Sequence, residues 1–230
     1  MVFTLLVFLV SDAYSLTYTF QSRDNSAPYS DMDDLDHNYY YSWRIKWALP
    51  SNQNIVGATL TFANIYDWKV EPDSLYIHLL DNPLALSTKI KYYNTGAYET
   101  TLWRGYDDEG GGDKFAGQGV RLDPVWSDPF GGSPRNLDLT YDLARLGGTI
   151  ATTTGAINPG SVNILNTLSA YIKNDGKFGF GIDPDCHYYN NGITLTITTA
   201  VVPEPSTLLL LGAGVAGIGI VRKLRSTKPR

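Results

Sequence analysis

The chain has one cysteine, Cys186, in 230 residues, so it cannot form an internal disulfide. A domain without disulfides depends on its hydrophobic core, with or without help from metal ions. The adjacent His187 suggests a thiol nucleophile, but neighbouring residues on a strand point to opposite faces. We therefore interpret Cys186 as a structural thiol that is buried or lightly exposed.

Recognisable catalytic motifs are also missing. The sequence contains no GxSxG, HExxH, phosphate loop or dinucleotide fingerprint. Its three histidines, His37, His78 and His187, are too scattered to suggest a zinc triad. With 19 Asp in the chain, a glycosidase-like pair of carboxylates arises by chance. The sequence favours a protein that is not an enzyme, and a secreted carbohydrate-active hydrolase is the alternative.

Basic residues are scarce outside the C-terminal end. The first 203 residues hold 22 of the 23 acidic and 13 of the 18 basic side chains, a net charge of −9. A domain this acidic does not bind nucleic acid through its phosphates. Such a charge favours binding of cations or neutral sugars, or it serves only to keep the domain soluble. The 16 Tyr, 22 Gly and 12 Pro indicate a β-rich fold with many turns.

Period-2 alternation predicts the strands. Residues 39–49 and 55–66 alternate apolar and polar side chains around a turn at 51–54, which predicts an antiparallel hairpin. Further short strands are predicted at 75–80, 89–93, 100–103, 118–122, 137–143, 178–182 and 193–199. One helix is predicted at 161–174, with Ser161 as its N-cap and Gly176 just past its end. The fold class is therefore all-β, an antiparallel β-sandwich of jelly-roll type with one short helix.

The start of the chain has features of an export signal. Residues 2–10 are apolar apart from Thr4, and Ala13 and Ser15 are the small residues that a signal peptidase reads. We predict a signal peptide at residues 1–15. The usual basic n-region is missing, since no Lys or Arg precedes Arg23. The signal therefore lacks its front end, or the segment is a buried first strand.

The end of the chain has three parts within residues 202–230. Pro203 and Pro205 flank Glu204 and prevent regular helix or strand there. An apolar run of 14 residues, 208–221, follows and then a basic tail. As a helix the run is about 21 Å long, short of the ~20 residues of an ordinary span, although flanking residues extend it. We predict a C-terminal transmembrane helix with the basic tail in the cytoplasm.

This arrangement resembles the PEP-CTERM sorting signal of Gram-negative bacteria. The resemblance implies that Pro203, Glu204 and Pro205 are recognised by an exosortase, a membrane transpeptidase that cuts near the motif. It also implies an anchor in the inner membrane that is transient, and delivery to the cell surface or extracellular matrix. Residues 16–201 then form the extracytoplasmic domain. A plain tail anchor and a core helix are the alternatives, and the four glycines within the run disfavour the core helix.

Two acidic clusters are candidate calcium sites, because calcium takes six to eight oxygen ligands from irregular loops. The first cluster has four aspartates in six positions, Asp31, Asp33, Asp34 and Asp36. The second is Asp183 with Asp185, near His187, between the last two predicted strands. The alternatives are a solvated acidic loop for the first cluster and a structural turn for the second.

Aromatic residues are densest between positions 39 and 68. Four of them are candidates for a platform on which sugar rings stack: Tyr40, Trp43, Trp47 and Trp68. Packing in the core is the alternative. Together with the export features, this pattern predicts a surface or matrix protein that acts in adhesion or exopolysaccharide binding. A purely structural surface protein is the remaining alternative.

Overall fold

The structure, a computed structural model, describes residues 14–22, 32, 34–69, 73–107, 112–128, 132, 137–150, 158–202 and 212–218. Every strand pair in these residues is antiparallel. The elements are β1 Ser15–Gln21, β2 Asp34–Leu35, β3 Tyr39–Lys46, β4 Gln53–Phe62, β5 Tyr66–Asp67, β6 Leu75–Asp81, β7 Thr88–Asn94, β8 Glu99–Tyr106, β9 Val120–Leu122, β10 Leu139–Asp142, β11 Gly147–Ile150, β12 Asn158–Asn163, α1 Ile164–Asp175, β13 Lys177–Pro184, β14 Tyr188–Tyr189 and β15 Ile193–Val201.

The strands form two main sheets and one small sheet. The larger sheet has the order β12-β11-β9-β6-β13-β3-β8-β7, and the smaller main sheet has the order β1-β15-β4-β10. A three-stranded sheet, β2-β14-β5, follows the end of β13. The predicted antiparallel sandwich is confirmed at this level, and its jelly-roll type stays a prediction.

The core lies between the two main sheets. Alternate residues of β3 and β13 face inward, and Trp43 lies opposite Phe180 in the ladder. Leu60 of β4 and Leu195 of β15 meet them from the other sheet, and all four side chains are fully buried. A buried side chain of this size contributes about 1.5–3 kcal/mol relative to an exposed one. The period-2 alternation thus gives each sheet one apolar face, and the two apolar faces pack against each other.

The predicted hairpin between residues 39–49 and 55–66 is wrong. β3 pairs with β8 and β13 in the larger sheet, whereas β4 pairs with β10 and β15 in the smaller one. The connection between the end of β3 at Lys46 and the start of β4 at Gln53 therefore carries the chain from one layer of the sandwich to the other. Two strands joined by a short connection show the same alternation in sequence whether they are hydrogen-bonded neighbours or lie in two sheets packed face to face.

Helix α1 begins later than predicted. Ser161 lies in β12, and Asn163 is the N-cap, because its Oδ1 accepts a hydrogen bond from the Asn166 amide at 3.0 Å. Gly176 closes the helix with φ of 73°, as its position predicted, and its N–H donates to the carbonyl of Ile172. Ile164, Leu168 and Ile172 form the buried face. The helix leads into one end of β13, and the small sheet follows the other end.

The N-terminal strand β1 pairs with β15 along its whole length. Cleavage after Ser15 would remove only the first residue of β1. Residues 1–13, which hold the rest of the predicted signal peptide, lie outside the described residues. The prediction of cleavage at this point stays open.

Candidate functional site

A groove of about 270 Å³ lies on the outer face of the larger sheet. We call it the basic groove, and its lining consists of Arg44, Lys46, Lys89, Tyr92, Glu99, Thr101, Trp103 and Lys177. Four cationic side chains and one carboxylate thus gather in one place on a chain of net charge −5. The net charge of the whole chain gives no sign of this local excess of positive charge.

Strand register places these side chains together. Arg44 on β3 lies opposite Thr101 on β8, and Thr101 lies opposite Tyr92 on β7. Trp103 lies opposite Lys89 in the same way. Directly opposite residues of an antiparallel pair share a face of the sheet. Residues far apart in the sequence therefore form one continuous outer surface.

Two of the cations are held on aromatic rings. The Arg44 guanidinium carbon is 4.5 Å from the ring centre of Trp103, and Lys89 Nζ is 4.9 Å from that of Tyr92. Among the described residues, neither cation forms an ion pair with a carboxylate. By contrast, Lys46 Nζ lies 3.3 Å from Glu99, and Lys177 Nζ lies 3.0 Å from Asp175. Arg44 and Lys89 therefore keep their charge available in the groove.

A second depression, of about 320 Å³, adjoins the basic groove. Lys46 and Glu99 line both of them, and Trp47, Asn94 and Tyr98 continue the second. The two depressions meet where Lys46 at the end of β3 lies opposite Glu99 at the start of β8. Their combined size is in the range of ligand sites in proteins.

The predicted sugar platform does not form. Trp43 and Trp47 are 0% and 6% exposed and belong to the core, so their assignment as stacking residues is wrong. Tyr40 is partly buried, and its ring packs on Phe115 at 5.6 Å. Trp68 is 43% exposed and packs beside His187. Because side chains alternate between the two faces of a strand, every second aromatic ring around β3 points into the core.

The opposite end of β13 carries carboxylates. Lys177 and Asp183 lie on the same face of this strand about 20 Å apart, at about 3.3 Å per residue. Asp183 is fully buried, and its Oδ2 accepts a hydrogen bond from the Lys114 amide at 2.6 Å. Burial raises the pKa of Asp183 to about 7, and the charges of Asp107, Asp113 and Asp185 contribute to the rise. Cationic and anionic side chains are thus separated along one sheet face.

The first acidic cluster meets a different partner. His187 Nε2 lies 3.2 Å from Asp36 and 3.9 Å from Asp34, whereas Asp31 and Asp33 lie outside the described residues. Asp183 and Asp185, the second pair of predicted calcium ligands, lie near Asp107 and Asp113 instead. Calcium binding at either place stays a prediction. The interpretation of the histidines as scattered is wrong for two of the three, since the rings of His37 and His187 are 4.8 Å apart.

Three polar side chains that the sequence did not indicate as a cluster, Asp67, Asp73 and Cys186, lie close together at the small sheet. Cys186 is 2% exposed and donates to Asp67 Oδ1 at 3.2 Å, so the buried alternative for this thiol is confirmed. Burial and a hydrogen bond with Asp67 raise the pKa of Asp73 to about 7. Asp67 and Asp73 come from strand β5 and the segment before β6, a pairing that no local pattern reveals.

Comparison with known families decides what the end of the chain is. Residues 201–223 match the model of the PEP-CTERM protein-sorting motif. The chain carries a PEP-CTERM sorting signal. The signal implies an exported protein that is anchored transiently in the membrane and processed by an exosortase. No curated protein and no solved structure gave a significant match to the chain.

The PEP-CTERM signal begins where the folded domain ends. β15 ends at Val201, and the Val202 amide donates to the Asn52 carbonyl at 2.8 Å. Pro203, Glu204 and Pro205 lie outside the described residues, and residues 212–218 are helical. No helix within the described part of the chain has the length and apolar character needed to cross a membrane. Residues 212–218 are half of the apolar run at 208–221, and the other half lies outside the described residues.

Proposed function

We propose that the exported domain binds an acidic extracellular polysaccharide through the basic groove and so acts in adhesion at the cell surface or in the matrix. The observation that carries this proposal is the pair Arg44 and Lys89. Both cations lie on aromatic rings in one groove, without a carboxylate partner among the described residues. The PEP-CTERM signal supports the extracellular setting.

The chemistry of the groove selects the ligand class. A guanidinium binds a carboxylate or sulfate group through two parallel hydrogen bonds, which makes such pairs strong and specific. Tyr92 is 49% exposed and offers part of its ring to a sugar. Composition alone suggested neutral sugars, whereas the local excess of positive charge favours sugars that carry acidic groups.

The groove is proposed to bind without cleaving its ligand. A glycosidase needs two carboxyl groups about 5–10 Å apart across the scissile bond. The described lining of the basic groove holds one carboxylate, Glu99, and the adjoining depression adds a second, Asp175. Each is paired with a lysine, Glu99 with Lys46 at 3.3 Å and Asp175 with Lys177 at 3.0 Å. This composition supports a binding protein over the alternative of a carbohydrate-active hydrolase.

Titration of the full-length protein in detergent with a short oligouronate tests the proposal. Arg44→Ala should weaken binding at least about tenfold, because a hydrogen bond to a charged group contributes about 1.5–3 kcal/mol. Arg145→Ala is the matched control, since Arg145 is 87% exposed and is paired with Asp142 outside the groove. Equal loss in the two variants would show that general charge, and not the groove, attracts the ligand.

Hydrolysis is measured in the same samples through the release of new reducing ends. The proposal expects none with the wild-type protein. Steady release that Glu99→Gln abolishes would favour the hydrolase. Failure of the protein to bind any acidic or neutral glycan would favour a purely structural role.

A further inference from the structure

Two histidines and a carboxylate meet at the edge of the small sheet. β14 pairs with β2 so that Tyr188 lies opposite Leu35. One step further along this antiparallel register, His187 lies opposite Asp36. His37 follows directly, and its ring centre is 4.8 Å from that of His187. Strand pairing itself therefore brings together side chains that are about 150 positions apart in the sequence.

The distances between these groups suit one bound ion. One ligand atom from each of Asp36, His37 and His187 lies within 4.8 Å of the others. His187 Nε2 is 3.2 Å from Asp36 Oδ1. Two ligand atoms at about 2.0–2.1 Å from a tetrahedral ion lie about 3.3 Å apart. His187 and Asp36 thus already have the separation that two ligands of one metal ion require.

The Asp34 carboxylate lies beside this group and is the fourth candidate ligand, outside the set of three atoms that lie within 4.8 Å of one another. Its Oδ1 lies 3.9 Å from His187 Nε2, is shielded from solvent and has no hydrogen-bond partner in the described structure. A shielded carboxylate oxygen without a donor is costly, and a cation would satisfy it. The unpartnered oxygen is an observation independent of the two imidazoles.

Neighbouring groups orient the ligands. Asp36 Oδ1 accepts hydrogen bonds from the amide and side chain of Asn38, at 2.9 and 2.8 Å. Buried Tyr41 donates its hydroxyl to the Asp34 carbonyl at 3.2 Å and accepts from the Asp36 amide. Trp68 packs beside the His187 ring, at 5.6 Å between ring centres. Hydrogen bonds of this kind are what hold metal ligands in place.

We propose that Asp36, His37 and His187 bind a divalent transition metal ion of the zinc type, with Asp34 as the fourth ligand. Imidazole nitrogen suits zinc, copper and nickel, whereas calcium takes oxygen ligands. The site differs in chemistry from the calcium loop that the aspartate run predicts. It is also independent of the basic groove and does not rest on the proposed function.

The ion joins two distant segments of the chain. Asp34, Asp36 and His37 precede β3, and His187 lies in the connection between β13 and β14. These segments also meet through the two pairs of the short β2–β14 ladder and through the Asn190 side chain, which donates to the Met32 carbonyl at 2.5 Å. Binding to the folded state alone stabilises that state, so zinc should raise the melting temperature.

The test is calorimetric titration of the full-length protein in detergent with zinc chloride, after treatment with a chelator. One zinc ion per chain should bind, and cobalt in its place should give the visible absorption of a tetrahedral site. His37→Ala and His187→Ala should each lower zinc affinity at least about tenfold. Asp185→Asn is the matched control, because Asp185 lies on the same connection near a different carboxylate cluster, and it should bind zinc as the wild type does.

Three outcomes would overturn the proposal. The first is no zinc binding to the wild-type protein at millimolar concentration. The second is equal affinity in the wild type and both histidine variants. The third is displacement of zinc by an equal concentration of calcium. Thermal unfolding of His187→Ala separates loss of the site from loss of the fold. A variant that unfolds cooperatively but no longer binds zinc has lost the site alone.

Discussion

The guanidinium of Arg44 lies 4.5 Å from the centre of the Trp103 ring, on the outer face of the larger sheet. Trp103 is 6% exposed, so the stacked cation covers an indole that would otherwise face water. Stacking holds the guanidinium in place without neutralising its charge. An acidic domain thereby presents fixed positive charge at one place on its surface.

The central strand β13 depends on Gly179. A Cβ atom added there would collide with the backbone carbonyl oxygen of Trp43 on β3. Gly179→Ala should therefore destabilise the protein by about 3 kcal/mol or more, the upper end of overpacking effects, because neither strand can move within the sheet. Thermal unfolding followed by circular dichroism measures the change.

Gly57→Ala is the control for this prediction. Its added Cβ would lie 3.7 Å from the Thr198 Cβ, which is an ordinary contact. Because glycine inside a strand is unfavourable relative to alanine by about 0.5–1 kcal/mol, this variant should be as stable as the wild type or slightly more so. Similar melting temperatures for the two variants would contradict the packing described for β13.

The buried carboxyl of Asp183 predicts a dependence of stability on pH. Its pKa is raised from 3.8 in the unfolded chain to about 7 in the folded one. The folded state therefore holds the proton more tightly, and its contribution to stability is complete below pH 4 and is lost as pH rises through about 7. Asp183→Asn should remove this loss and raise the melting temperature at pH 8 more than at pH 5.

The amide of Asn keeps an oxygen that accepts from the Lys114 amide, as Asp183 Oδ2 does. Asp138→Asn, on an exposed carboxyl that accepts from the Asn64 amide, is the control and should leave the pH profile unchanged. A profile for Asp183→Asn that parallels the wild type would show that this carboxyl is ionised alike in both states. Calcium that raises the melting temperature of the wild type and not of Asp183→Asn would bear out the calcium prediction here.

Much of the layer structure could be predicted from sequence. The alternation of residues 39–49 identified a half-buried strand, and Tyr41, Trp43 and Ile45 are buried as that alternation requires. Gly176 was placed correctly because a left-handed C-cap has a strong residue preference. What failed was strand pairing, since β3 finds its neighbours β8 and β13 far along the chain. Alternation specifies a face but not a partner.

The sites were harder to predict for the same reason. Arg44, Lys89 and Trp103 come from three strands, and only the register brings them into one groove. The aspartate run and His187 were each noticed as candidates, but their meeting depends on the β2–β14 ladder. The PEP-CTERM signal was recognised because its parts are contiguous in sequence and need no folding to read.

The sorting signal makes a prediction about processing. Glu204→Ala should leave the precursor uncut, because the PEP-CTERM motif is what an exosortase recognises. Fractionation of the native cells should then find the variant at full length with the membrane, whereas the wild type is shortened and released. Asp142→Ala, at the half-buried end of strand β10 and far from the motif in sequence, is the control. Release of Glu204→Ala at the wild-type rate would contradict the assignment of this residue to recognition.

The most direct test of the central claim compares one ligand in two charge states. An oligouronate and the same oligosaccharide with its carboxyl groups reduced to alcohols are titrated against the wild-type protein at low salt. The basic groove predicts at least about tenfold tighter binding of the acidic form, with the difference shrinking at 1 M salt, where charges are screened within about 3 Å. Equal affinity for the two forms would contradict recognition of acidic sugars by Arg44 and Lys89.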